Sequence, residues 1–200
     1  QPPSPPTSPP LPLLGAGDCM VVGFNTDGTD DFAIVLLAPL AVGESIVATD
    51  DGWRTDVTPS AFGSVLSSER HVSHTAVATE EAGTVLTVAD FSGTLSLSSA
   101  ADQLLVYRGE QATPTFLCAL DNSGRYSNPL CTGSVGGWHQ AACSTSSVLQ
   151  FYSALPPGLT AGVVSRATTR APALFRSTPR RLERAHPCIL TAAALARMAA

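Results

Sequence analysis

Asp27, Asp30, Asp31, Asp50 and Asp51 form the densest carboxylate group in the chain. A hard cation such as calcium needs several oxygens converging at about 2.3–2.6 Å, which makes Asp27, Asp30 and Asp31 the candidate metal ligands. The spacing is not that of an EF-hand loop. Turn chemistry accounts for the same residues, because Asp27-Gly28 is a turn pair and aspartate side chains bond to nearby backbone. Nucleophilic chemistry has less to build on. Serines are abundant, but no G-x-S-x-G elbow occurs, and Gly133-Ser134-Val135-Gly136 lacks its spacing. His71 and His74 fall in a predicted strand three residues apart, which puts them on opposite faces and prevents them from gripping one metal together. His139 beside Trp138 could stack on a sugar, or the pair could cap the end of a sheet structure. These residue types do not assemble a catalytic set, so the expected role is non-enzymatic.

The five cysteines, Cys19, Cys118, Cys131, Cys143 and Cys188, contain no C-x-x-C pair, which argues against zinc and for disulfides in an oxidising compartment. Cys131 and Cys143 bracket a Gly/Ser-rich loop whose closure would remove about 3 kcal/mol of unfolded-state freedom, and they are the preferred bridge. An odd count leaves one thiol free, buried or bonded to another chain.

The elements that would have to position these groups are constrained by composition. With 200 residues, 44% apolar and 14% charged, the chain can bury a core, and wholesale disorder is excluded. The longest apolar run, Phe32 to Val42, contains Pro39 and is too short to cross a bilayer, so no membrane insertion is expected. The chain starts at Gln1 without a basic, apolar leader and reads as a mature form. All eleven basic residues are Arg. Residues 1–165 hold four of them against fifteen acids, a balance of −11, whereas residues 166–200 hold seven Arg and one Glu, a balance of +6. An acidic body of this kind repels a polyanion, which excludes nucleic acid as its partner. The basic segment, with Arg166, Arg170, Arg176, Arg180, Arg181 and Arg184, is suited to contacting the body of another subunit.

Three zones follow. Residues 1–14 form a proline-rich arm, with seven prolines in the first twelve positions dictating a polyproline II rod. Residues 15–165 read as short strands between turn signals: Cys19 to Phe24, Phe32 to Leu37, Ser45 to Thr49, His71 to Ala78, Thr84 to Val88, Thr94 to Leu97, Gln103 to Tyr107, Thr115 to Leu120, Val148 to Tyr152 and Gly162 to Val164. That spacing predicts an all-β fold, a β-sandwich of mainly antiparallel strands. Ile34 to Leu37 is apolar on both faces, so a cover is expected on its outer side, supplied by an arm or tail of the next copy. Residues 166–200 form an Arg-rich tail, irregular and then helix-favouring, that is too poor in large apolar groups to fold alone.

The runs Gly23-Phe24-Asn25, Asp27-Gly28, Asp30-Asp31-Phe32 and Thr49-Asp50-Asp51-Gly52-Trp53, followed by Leu95-Ser96-Leu97-Ser98 and Asp102-Gln103-Leu104, resemble a secreted bacterial β-domain related to lamin-tail-like sandwiches. The resemblance spans residues 17–165 and implies an attachment or display module with no catalytic set. The arm is similar to the hydroxyproline-rich glycoproteins of green-algal walls and flagellar coats, through Ser4-Pro5-Pro6 and Ser8-Pro9-Pro10. That similarity implies hydroxylation and O-linked sugar at Pro2, Pro3, Ser4, Pro5, Pro6, Thr7, Ser8, Pro9, Pro10 and Pro12. Asn25, Asn122 and Asn128 lack the sequon hydroxyl, so the expected glycans are O-linked.

The expectation is therefore a secreted or cell-surface structural subunit, glycosylated, which joins copies of itself head to tail into a fibre through its terminal segments. The alternative is an adhesin module that binds carbohydrate or a surface, with or without calcium.

Overall fold

The computed structural model describes residues 10–26, 28–55, 59–63, 70–98, 102–122, 138 and 153–161. The described chain is all-β, with antiparallel pairing throughout and a single 3-10 turn at Val88–Asp90. Nine strands are described: β1 (Cys19–Asn25), β2 (Asp31–Leu36), β3 (Ser45–Thr49), β4 (Trp53–Arg54), β5 (Ala61–Phe62), β6 (His71–Thr75), β7 (Val85–Thr87), β8 (Gln103–Arg108) and β9 (Thr115–Asp121). They form a three-stranded sheet in the order β1-β2-β7, a four-stranded sheet in the order β6-β3-β8-β9, and the small pair β4-β5.

Side-chain alternation decides what each sheet buries. Phe32, Ile34 and Leu36 of β2 share one apolar core with Ile46 and Ala48 of β3 and Leu104 and Val106 of β8. The other phase of the four-stranded sheet, Leu105, Tyr107, Phe116 and Ala119, packs in a second cluster with Trp53 and Trp138. This sheet is thus covered on both sides, which explains why Leu104-Leu105-Val106 and Phe116-Leu117-Cys118-Ala119-Leu120 are continuous apolar runs. A bulge between Val106 and Tyr107 lets Leu117 and Cys118 both face the shared core.

Three connections carry the chain between the two larger sheets, β2 to β3, β6 to β7 and β7 to β8, and the first two are built alike. Leu40 and Glu80 exchange backbone bonds of 2.9 Å in both directions. Around them Gly43 donates to Ala76 (2.8 Å) and Gly83 donates to Leu36 (2.7 Å). Gly43 and Gly83 have φ of +82° and +94°, a conformation that a side chain would strain. Segments 36–44 and 76–84 therefore sit about a local two-fold relation centred on the Leu40–Glu80 pair, a repeat that the sequence analysis did not recognise.

Most expected strands are present, within a few residues at their ends. Residues 94–98, expected to contain a strand, take no ladder partner, although Leu95 and Leu97 are buried. Val148 to Tyr152, Gly162 to Val164, the Cys131–Cys143 pair and residues 166–200 lie outside the described residues, as do Asp27 and positions 1–9. The disulfide that the structure shows is Cys19–Cys118, between β1 and β9 and so between the two larger sheets. It closes a loop of 99 residues. In the chain-entropy account that closure contributes about 4–5 kcal/mol. Replacing Cys19 and Cys118 together by Ala is expected to lower unfolding free energy by about that amount, as read by urea titration.

Candidate functional site

The described polar side chains concentrate in two places. The first is the root of the proline-rich arm. Leu11 and Leu13 are exposed, but Leu14 is 1% exposed and belongs to the shared core. Immediately after it the backbone is fastened to both sheets. Gly17 donates to Leu117 of β9 (2.8 Å), while Leu37, just beyond β2, donates to the Asp18 carbonyl (2.8 Å). The Asp18 carboxylate accepts the Gly15 amide at 2.7 Å, and the Arg108 guanidinium donates to the Leu14 carbonyl. Cys19, the next residue, carries the disulfide. Five of the six residues from Leu14 to Cys19 thus tie one short segment into the core, both sheets and a covalent cross-link.

The second place is the outer side of the four-stranded sheet, where β3, β6 and β8 bring Asp51, His71 and Tyr107 together. His71 Nδ1 lies 3.0 Å from the Tyr107 hydroxyl. Its Nε2 lies 3.1 Å from the Gln111 amide nitrogen and 3.5 Å from Asp51 Oδ2. Phe62 meets the imidazole edge-on at 5.0 Å and holds its plane. Burial, with Asp51 and Glu110 adding negative charge, pushes the Tyr107 phenol up to about 12. Through the Nδ1–Tyr107 contact the His71 ring links β6 to β8.

Two of the carboxylates singled out in the sequence, Asp30 and Asp50, hold backbone, as does Asp102. Asp50 accepts the amides of Arg70 (2.7 Å) and Ser96 (3.1 Å), Asp30 accepts that of Leu97 (2.9 Å), and Asp102 accepts that of Ser98 (2.6 Å). Three aspartates from three parts of the chain therefore lace segment 94–98 in place, which is why an alternating apolar sequence there does not join a ladder. Gln103 adds a bond from its side chain to the Asp50 carbonyl. Burial raises Asp50 above the ordinary carboxylate range, and the Arg70 and Ser96 amides oppose that rise. Asp31, the remaining described candidate ligand, lies on β2. Among the described residues, no three His, Cys, Asp or Glu side chains converge as a cation site requires. His74 belongs elsewhere, 2.9 Å from the Asp90 carbonyl and 2.8 Å from Glu80. Pro10 and Pro12 are exposed.

Sequence reasoning missed the clamp because the partners of Leu14 and Gly17, Arg108 and Leu117, lie about a hundred residues away. The chain matches no family model, no curated protein and no solved structure.

Two expectations follow. Asp50→Asn replaces an acceptor of two amides with a group that can accept at only one atom, and should cost about 1–3 kcal/mol in urea unfolding at neutral pH. Tyr107 holds its proton more tightly when folded than when unfolded, so its contribution is complete below pH 10 and is lost as pH rises through about 12. Phenolate absorbance should show a transition near that upper value, and Tyr107→Phe should abolish it.

Proposed function

We propose that the protein is an extracellular structural subunit that joins copies of itself head to tail into a glycosylated fibre. In this reading the two larger sheets are the layers of a β-sandwich, and residues 1–12 form a hydroxylated, O-glycosylated polyproline II tether. The basic segment 166–200 is its electrostatic counterpart. The observation that carries the reading is the clamp at residues 14–19. An arm that served only as a spacer would need no such fastening, whereas a tether under tension must pass force into both sheets. The covalent cross-link at Cys19 and the core anchor at Leu14 supply that path.

Support also comes from the resemblance of residues 17–165 to secreted lamin-tail-like display modules, and from the disulfide, which is compatible with an oxidising compartment. Asp30, Asp50 and Asp102 are occupied in holding backbone, which suits a rigid building block. A head-to-tail contact that does not close on itself yields a filament.

Removing residues 1–12, which spares Leu13 and the buried Leu14, should leave a cooperatively folded particle that no longer polymerises in sedimentation velocity. Polymers of unchanged size distribution after that truncation would contradict the tether.

A further inference from the structure

His74 lies where the outer strand of the four-stranded sheet faces the turn that follows β7. It stands directly opposite Ile46 in the β3–β6 ladder, so both side chains project from the side of the sheet that Ile46, Ala48 and Val72 give to the shared core. Its side chain is 12% exposed, and the ring of the buried Phe91 lies tilted against it at 5.7 Å. Both of its ring nitrogens meet acceptors. Nδ1 is 2.9 Å from the Asp90 carbonyl oxygen, and Nε2 is 2.8 Å from Glu80 Oε1 in the crossover 76–84.

That geometry sets a proton count. A carbonyl oxygen has no hydrogen to give, so Nδ1 is the donor to Asp90. A neutral ring would then aim the Nε2 lone pair at an ionised carboxylate oxygen within hydrogen-bond distance, a repulsive contact. The bond requires a proton between Nε2 and Oε1. Imidazole is the stronger base, with reference values of about 6.5 against about 4.3 for a glutamate, so Nε2 carries it. The second Glu80 oxygen, Oε2, is buried with no hydrogen-bond partner, which leaves the imidazolium to balance the carboxylate. Neighbouring charged groups are engaged elsewhere. The Asp90 carboxylate accepts the Thr87 amide (2.7 Å) and hydroxyl (3.0 Å), and Glu44 accepts the Ala41 amide at 3.2 Å. His71, on the other face of β6, meets Tyr107, and β3 presents the apolar Ile46. Among the described residues, the carboxylate paired with the His74 ring is that of Glu80 alone.

We infer that His74 and Glu80 form a proton-dependent clasp, in which one bridging proton fastens β6, the crossover 76–84 and the turn at Val88–Asp90 to one another. The folded chain holds this proton, whereas the unfolded chain, with both groups in water, gives it up as a free imidazole does. The clasp therefore contributes at acid pH, and its contribution is lost as pH rises. Without the proton the Glu80 charge stays largely buried and unpaired, a costly state. Next to the clasp Ser73 and Ser92 exchange backbone bonds of 3.4 Å and 2.8 Å, which cap the outer edge of β6. Loosening the clasp weakens the hold of the three-stranded sheet on that edge. The inference is independent of the fibre reading.

The test uses the full-length chain, isotopically labelled at its histidine ring nitrogens and read by NMR at about pH 7.5, a unit above the free-imidazole value. Both ring nitrogens of His74, assigned through bonds, should be protonated. An unprotonated ring nitrogen there would overturn the inference, and this reading needs no variant to fold. The second measurement uses Glu80→Gln, whose amide can donate to Nε2 of a neutral ring and so keeps the contact without the bridging proton. From about pH 5.5 to about pH 8.5, urea titration should show the wild-type folding equilibrium constant falling about tenfold or more relative to that of Glu80→Gln. Parallel pH profiles for the two proteins would contradict the clasp, whichever of them is the more stable.

Discussion

Burial of the four-stranded sheet on both of its faces is the constraint from which the rest of the architecture follows. An antiparallel sheet ordinarily leaves one face to water, so its strands alternate apolar and polar residues. Here β8 and β9 are apolar in both phases, and each phase has its own partner: the three-stranded sheet on one side, Trp53, Phe62 and Trp138 on the other. The second cover is made from short, irregular pieces of chain. Its attachment depends on single polar bonds, such as Ser153 accepting the Trp53 amide at 3.0 Å and Ala154 donating to the Trp53 carbonyl at 2.9 Å.

Polar groups forced inside by this packing need partners, because an unsatisfied buried donor or acceptor costs on the order of 1–3 kcal/mol. Aspartates meet that need repeatedly. Asp30, Asp50 and Asp102 each terminate backbone that no ladder reaches, and Asp50 does so even though burial works against its ionisation. The same logic appears at the arm root, where Asp18 turns the chain and Arg108 closes on the Leu14 carbonyl. The arm thereby meets the body at its most heavily tied point, next to the disulfide.

Much of the fold was legible in the sequence, where local signals suffice. The turn at Gly43 and the alternation of Ser45 to Thr49 place β3, and the unbroken apolar run from Phe32 places β2. Non-local pairing was not legible. Strands β4 and β5 are two residues each and exist because Trp53 meets Phe62 at 5.1 Å, a contact that no local pattern announces. Segment 94–98 has the alternation of a strand, yet its amides go to carboxylates brought from 46 and 67 residues away. The Cys19–Cys118 bridge was likewise hidden, since cysteines 99 apart carry no spacing cue. Of the candidate site, the aspartates were visible as a group with turn chemistry as one account of them, while the His71–Tyr107 contact required the register of β3 with both β6 and β8.

These features describe a body held together by its core and its cross-link, and the proposed fibre assigns the terminal segments to contacts between copies. High-resolution electron microscopy of the wild-type protein at assembling concentration addresses that claim most directly. The account predicts filaments in which successive bodies are joined through their terminal segments. A monodisperse population of single particles, with both termini folded back on the body that carries them, would contradict it.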